Sequence, residues 1–239
     1  NYNDVYSQNR MWDVIIYNYL LEKDVIIPQR RHHTKGAKYV GAYVKEPQVG
    51  QHEWIMSFDL NSLYPHLIMQ YNISLETLIK QQFPDSISID RLLNKEVNTD
   101  VLGDKLTVTP NGACFRTDIR GFLPELMEKY YTDRTKFKGY LLEAKQNYED
   151  TKDRKYLSQI STYHNIQMAR KIALNSAYGA LGNEYFRYYD ERMATAITTS
   201  GQLSIRWIES RVNKYLNDIL KTDNIDYIVA SDTDSIYVR

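Results

Sequence analysis

The sequence contains almost no cysteine, since Cys114 is the only one among 239 residues. A single cysteine excludes an intrachain disulfide and a zinc site built on paired cysteines, and it is typical of a reducing compartment. No apolar run approaches the ~20 residues of a membrane span. The first residues also lack the basic-then-apolar pattern of a secretory signal. These absences predict an intracellular protein that makes no contact with a membrane.

The sequence also has no excess of positive or negative charge. The 30 Lys and Arg residues balance the 30 Asp and Glu residues, so affinity for a polyanion has to come from local patches. Hydrophobic residues make up 43% of the chain, which predicts a globular protein with a sizeable core. The chain starts without Met and stops after a strand-like run, so we expect it to be a piece of a longer polypeptide.

The first half of the chain mixes several patterns. Residues 12–21 have near-helical apolar spacing, and residues 28–47 predict an extended basic connector. Residues 54–60 predict a buried strand, which turns sharply into a helix because Pro65 suits a first helical turn. Residues 73–117 have weak periodicity and receive no firm assignment.

The remainder is strongly patterned. Two long helices are predicted over residues 124–147 and 156–181, and their short polar link makes them an antiparallel hairpin. A third helix over residues 193–220 precedes two strand-like runs, 227–230 and 235–238. This order predicts an α+β fold in which an antiparallel sheet packs on helices.

Three carboxylates stand at predicted strand ends. Asp59 ends the first strand, and Asp232 and Asp234 lie in the turn of the terminal hairpin, so all three could share one pole of the sheet. Carboxylates that close repel each other unless cations lie between them, and hard oxygen ligands suit Mg²⁺ carrying phosphates. The alternative is that Asp occurs in this turn only because it favours turns.

A polar stripe runs along the second hairpin helix. Lys171, Asn175 and Tyr178 are spaced i, i+4 and i+7, and the facing helix carries Arg134 and Lys138 four residues apart. A core-facing stripe would rarely contain Lys and Asn. Three cations opposite a carboxylate pole could clamp a triphosphate. A solvated helix face is the alternative for the Arg134 and Lys138 pair.

Three stretches carry a family resemblance. Asp59 to Pro65 resembles motif A of family B DNA polymerases, Lys171 to Gly179 resembles motif B, and Asp232 to Ser235 resembles motif C, in the family's order. The helix with Arg134 and Lys138 lies between the first two motifs, as expected. Further phrases look closest to the replicative polymerases of large tailed phages: residues 39–42, 110–112, 186–190 and 196–199.

The resemblance implies a domain plan and a function. It implies an antiparallel-sheet palm packed on helices, with an inserted two-helix fingers hairpin. The segments are an entry segment and template-side connector at 1–50, palm at 51–123 and 184–239, and fingers at 124–183. An exonuclease, a thumb and, through them, a sliding clamp would be partners outside this chain. The activity implied is templated DNA synthesis from dNTPs on primer–template DNA in the cytoplasm of an infected bacterium, with the isolated fragment poorly active.

The resemblance also implies individual roles. Asp59 and Asp234 would bridge two Mg²⁺ ions, with the Leu60 carbonyl as a further ligand and Asp232 helping nearby. Tyr64 would lie under the deoxyribose and exclude a 2′-hydroxyl. Other implied nucleotide-binding residues are the Ser62 and Leu63 amides, Arg134, Lys138, Lys171, Asn175 and Tyr178. Implied DNA contacts are Tyr39, Gly41 and Gly179.

The sequence departs from the family pattern at several positions. The common Tyr-x-Gly-Gly element is Tyr39-Val40-Gly41-Ala42, His66 replaces the usual Ser, and the hairpin is short, with 37 positions from Arg134 to Lys171. A nucleic-acid-binding module without catalysis and a two-metal nuclease remain as alternatives. A nuclease would not need the three cations, so Mg²⁺-dependent triphosphate binding separates these functions.

Overall fold

The computed structural model describes residues 7–29, 39–83 and 86–239. Residues 30–38 of the predicted basic connector, with Arg30, Arg31, Lys35, Lys38, His32 and His33, lie outside the described residues. The described helices are α1 Gln8–Glu22, α2 Leu63–Tyr71, α3 Ile89–Leu93, α4 Phe122–Thr151, α5 Lys155–Leu181 and α6 Glu191–Leu220, with a 3-10 helix at Asp100–Lys105. The strands are β1 Val44–Lys45, β2 Met56–Asp59, β3 Leu106–Val108, β4 Cys114–Arg116, β5 Ile228–Asp232 and β6 Ser235–Val238.

The main sheet has four antiparallel strands in the order β1-β5-β6-β2. The hairpin β5–β6 therefore lies between two strands that come from much earlier in the chain. A second, two-stranded sheet pairs β3 with β4. The predicted mixture of helices and antiparallel sheet is confirmed.

The prediction that residues 54–60 form a buried strand is wrong. β2 begins only at Met56, and all four of its residues are exposed. Phe58 is 54% exposed and the preceding Trp54 is 92% exposed. The reason is position, because β2 is an edge strand of the sheet and its apolar side chains have no covering layer among the described residues.

Helices α4 and α5 form an antiparallel pair joined by residues 152–154. The guanidinium of Arg170 lies 4.7 Å from the ring centroid of Tyr130, and further out the rings of Tyr140 and Tyr163 are 5.5 Å apart. Both helices are longer than predicted. At the end of α4, the polar link residues 149–151 continue the helix. None of the helices in the described ranges is both long and apolar enough to cross a membrane.

The larger core joins α1 to the base of this helix pair. Trp12 of α1 is 1% exposed, and its indole nitrogen donates to the carbonyl of Ala173 at 3.2 Å and to the hydroxyl of Ser176 at 3.1 Å. Its ring also packs on Tyr130 at 5.8 Å. A smaller core lies between α6 and the sheet and contains Ile205, Ile228, Ile236 and Val238.

Replacing Trp12 is expected to loosen α1 from the helix pair. Trp12→Ala should lower the free energy of unfolding by ~3–5 kcal/mol, because it leaves a large cavity and removes two hydrogen bonds. Trp12→Phe, which keeps a ring but loses both hydrogen bonds, should cost less. Urea unfolding of the two variants checks the order, and equal losses would contradict a contribution from ring packing.

The weakly periodic segment is organised by a side chain rather than by periodicity. Asn72, in the left-handed region at the end of α2, donates to the carbonyls of Arg116 and Ile119 at 2.6 and 2.7 Å. Its amide oxygen accepts from the backbone of Gly121 at 3.0 Å. One buried amide thus fixes the return of the chain toward α4.

Candidate active site

Two turns bring the predicted carboxylates to one end of the sheet. Asp59 is paired with Ser235 across the β2–β6 ladder, which places it beside the β5–β6 turn. The amide of Leu60 donates to the carbonyl of Asp234 at 2.7 Å, locking the end of β2 to that turn. Strand pairing alone therefore makes neighbours of motifs that are far apart in the sequence.

Both turns contain a backbone conformation that is uncommon for residues with a side chain. Ser62 has φ 57° and Thr233 has φ 54°, in the left-handed region. For a β-branched residue such as Thr233 this is unfavourable and has to be held by its surroundings. The Thr233 amide donates to the carbonyl of Tyr43 at 2.9 Å, which fixes the turn against the chain that leads into β1.

A cavity of about 420 Å³ lies between these turns and the α4–α5 pair. Eight of the predicted site residues line it. They are Asp59, Ser62, Leu63, Tyr64, Arg134, Lys171, Asn175 and Asp234. Asn61, Pro65 and Thr233 also line the cavity. The sequence analysis gave these three no role, although all lie within the motifs.

The carboxylates interact electrostatically. Burial raises the pKa of the Asp234 carboxyl, and the nearby charges of Asp59 and Asp232 raise it further. Asp232 does not line the cavity, because it and Asp59 pair with Ser235 from opposite sides and so lie two strand spacings apart, about 10 Å. Among the described residues no group of three or more His, Cys, Asp or Glu could hold a metal ion. The expected pole of three acids is therefore two lining carboxylates, with the third outside the lining of the cavity.

Two carboxylates suit Mg²⁺. This ion keeps several waters and binds through one or two carboxylates plus substrate phosphates, so it does not need a complete cage of protein ligands. The repulsion that raises the pKa of Asp234 would be relieved by a cation next to Asp59 and Asp234. Leu60, the other predicted ligand, does not line the cavity.

The opposite wall of the cavity is cationic. Arg134 donates to the hydroxyl of Ser62 at 3.1 Å and to the amide oxygen of Asn61 at 3.4 Å, while its buried Nε has no hydrogen-bond partner. Neither Arg134 nor Lys171 forms an ion pair with a carboxylate of the described residues. Lys138, one turn further along α4, is exposed and does not line the cavity. The wall therefore presents two cations without counter-charges.

Tyr64 lines the remaining side, and Tyr178, a predicted site residue, packs on it without lining the cavity. The rings of Tyr64 and Tyr178 are 4.7 Å apart at 52°, and the Tyr178 hydroxyl donates to that of Tyr39 at 3.4 Å. Burial raises the pKa of the Tyr64 hydroxyl, and the charges of Asp234 and Asp232 raise it further. Burial also raises the pKa of Tyr178. Both rings are therefore neutral, half-buried surfaces at physiological pH.

The predicted DNA contacts lie beside this site. The carbonyl of Gly41 accepts from the side chain of Gln202 on α6 at 2.6 Å, so the segment after Tyr39 runs along that helix. Gly179 is exposed on α5, with Gln8 nearby: a Cβ on Gly179 would lie 3.2 Å from the Gln8 side-chain oxygen. Tyr39 meets the end of α5, where a Cβ on Gly182 would overlap its hydroxyl.

Known proteins are similar to this chain in sequence and in fold. The sequence model of DNA polymerase family B matches residues 5–239. The DNA-directed DNA polymerases of Escherichia phage RB69 and Enterobacteria phage T4 are 35% and 34% identical, over 98% and 99% of this chain. The chain spans 30% of the length of each of these relatives. The predicted resemblance to polymerases of large phages is confirmed.

A solved structure agrees in fold. The family B DNA polymerase from the archaeon Pyrobaculum calidifontis matches with a TM-score of 0.64, at 24% sequence identity. The match covers 98% of this chain and 26% of that chain. Since the family match extends over nearly the whole sequence and the three motifs meet at one cavity, this chain belongs to DNA polymerase family B.

Proposed function

We propose that this chain carries the nucleotide-transfer site of a DNA-directed DNA polymerase that replicates viral DNA, joining a deoxynucleotide from a dNTP to a primer 3′-hydroxyl. One observation carries the proposal: a single cavity has two carboxylates on one wall and, on the other, two cations that pair with no carboxylate of the described residues. This is the charge pattern that a metal-bound triphosphate requires.

Asp59 and Asp234 would hold two Mg²⁺ ions, and Asp232 would help from nearby. Bound there, the ions would lower the pKa of the primer hydroxyl and neutralise charge developing on the phosphates. The chain's own contribution is to fix the two carboxylates through the β2–β6 ladder and the Leu60–Asp234 hydrogen bond. The Leu60 carbonyl is a further proposed ligand.

Phosphate binding would fall to Arg134, Lys171 and the start of α2. Ser62 makes no capping hydrogen bond with its side chain, so the first amides of this helix are available to an anion. Asn175 lies one turn after Lys171 and would position the same group. Lys138 points to solvent here and would join the triphosphate only if the α4–α5 pair moved inward.

The rest of the chain would supply the frame. Residues 51–123 and 184–239 would form the palm, 124–183 the fingers, and 1–50 an entry and template-side segment. Primer–template DNA would lie along Tyr39, Gly41 and Gly179, with Tyr178 near the nascent base pair. Exonuclease and thumb regions, and a sliding clamp through them, are proposed partners.

Nucleotide binding tests the proposal, because a nuclease or a passive DNA-binding module does not need a triphosphate clamp. Lys171→Ala should weaken Mg²⁺–dATP binding by about tenfold, since a charge-assisted phosphate contact is lost. Lys145→Ala is the matched control, because Lys145 is an exposed cation on α4 outside the cavity. Competition with a fluorescent deoxynucleotide measures both constants. Equal affinity of the two variants would contradict the phosphate role of Lys171.

A further inference from the structure

A glycine in the middle of a long helix packs against a ring that lines the cavity. Gly201 lies in α6 and is buried. Glycine is a poor helix former, so its presence inside a 30-residue helix needs a packing reason. The reason is visible in the structure: a Cβ built on Gly201 would lie 3.0 Å from Cε1 of Tyr64, closer than ordinary contact.

The ring of Tyr64 is thereby held between two neighbours, Gly201 and Tyr178. Gly201 lies on one side of its ring, at a distance that leaves no room for a methyl group. Tyr178 packs on the ring with the centroids 4.7 Å apart. The same ring lines the cavity together with Asp59 and Asp234. The position of the Tyr64 ring in the cavity is therefore set by its contacts with Gly201 and Tyr178.

We propose that Gly201 sets the space available to the nucleotide sugar, acting through Tyr64. This inference rests on the proposed function, in which Tyr64 lies under the deoxyribose. A methyl group at position 201 would push the ring away from α6 by a few tenths of an ångström. Packed interiors transmit such a shift, so the space for the sugar would become smaller. Gly201 is a positioning residue, since it does not line the cavity.

The test is a cycle of four proteins: the parent chain, Gly201→Ala, Tyr64→Ala and the double variant. Gly139→Ala is the matched control, because Gly139 lies inside α4 and a Cβ there meets nothing within 4 Å. Gly139→Ala should raise the melting temperature through helix propensity alone. Gly201→Ala should give no such gain in the parent, and should give it once the Tyr64 ring is removed.

Nucleotide affinity is the second readout. The dissociation constant for dATP in Mg²⁺ is measured for the four proteins by competition with a fluorescent deoxynucleotide. Gly201→Ala should weaken dATP binding about fivefold when Tyr64 is present, and less than about twofold in the Tyr64→Ala background. A general disturbance of α6 would instead weaken binding equally in both backgrounds.

The outcomes separate the inference from the proposed function. Equal effects of Gly201→Ala with and without the Tyr64 ring, in either readout, overturn the inference. A Tyr64-dependent effect of Gly201→Ala on the melting temperature, without a Tyr64-dependent effect on dATP affinity, also overturns the inference. The contact between Gly201 and the ring would then matter only for packing. If none of the four proteins binds dATP in Mg²⁺, the proposed function fails together with the sugar role, and the melting temperatures still report the packing.

Discussion

Asp59→Ala and Asp234→Ala are each expected to lower the rate of nucleotide insertion by about a thousandfold or more, with the fold retained. The expected loss is large because each variant removes a proposed metal ligand, and the charge that develops in the transition state is then poorly stabilised. Both side chains line the cavity rather than the core, so the melting temperature should change little. Single-turnover insertion on a primer–template, in an enzyme that carries this chain together with a thumb, measures the effect.

Asp218→Ala is the matched control for these two variants, because it also removes one carboxylate. Asp218 is exposed near the end of α6 and does not line the cavity, so its removal should leave insertion unchanged. A metal readout independent of turnover accompanies the rates: Mg²⁺ should stabilise the parent chain against heat more than it stabilises Asp59→Ala or Asp234→Ala. Near-normal insertion by either of these variants in Mg²⁺ would refute the assignment of the two carboxylates.

Tyr64→Ala is expected to change which sugar the enzyme accepts. If the ring excludes a 2′-hydroxyl, its removal relieves a clash for the ribonucleotide only, and the ratio of kcat/KM for ribonucleotide over deoxyribonucleotide should rise by at least about tenfold. Packing alone predicts another result. A lost aromatic ring would cost ~3–5 kcal/mol of stability and reduce activity equally for both sugars.

A phenylalanine variant separates the ring from its hydroxyl. Tyr64→Phe keeps the surface that packs between Tyr178 and Gly201, so it should keep the parent's sugar discrimination. The measurement is kcat/KM for both nucleotides with parent, Tyr64→Ala and Tyr64→Phe, in a form of the enzyme that includes its thumb. An unchanged ratio in Tyr64→Ala would leave packing as the role of this residue.

Much of the local structure could be predicted from the sequence. The helical periods that predicted helices over residues 124–147, 156–181 and 193–220 identified α4, α5 and α6, and the terminal hairpin was found by alternation, although β5 extends through Asp232, which was predicted to lie in the turn. These features depend on neighbours a few positions apart, which a sequence displays directly. The segment after α2 could not be predicted, because the hydrogen bonds of Asn72 organise it and no period records them.

Exposure of apolar residues could not be predicted. Trp12 and Trp54 both stand in apolar stretches, yet one is 1% exposed and the other 92%. The difference follows from the packing partners near each tryptophan. Trp12 lies in α1, which packs against the helix pair, whereas Trp54 precedes β2, which is at the edge of the sheet. Burial depends on partners that are distant in the sequence.

The sequence by itself determined the chemistry available to this protein: which acids end strands, which cations share a helix face and in what order the motifs follow. The tertiary structure alone decided which of these groups meet. The strand order β1-β5-β6-β2 brings Asp59 to Asp234 and leaves Asp232 outside the lining of the cavity, and α6 places Gly201 against Tyr64. Side-chain types and short periods are local properties of a chain, whereas strand pairing and helix packing are set by contacts between distant segments.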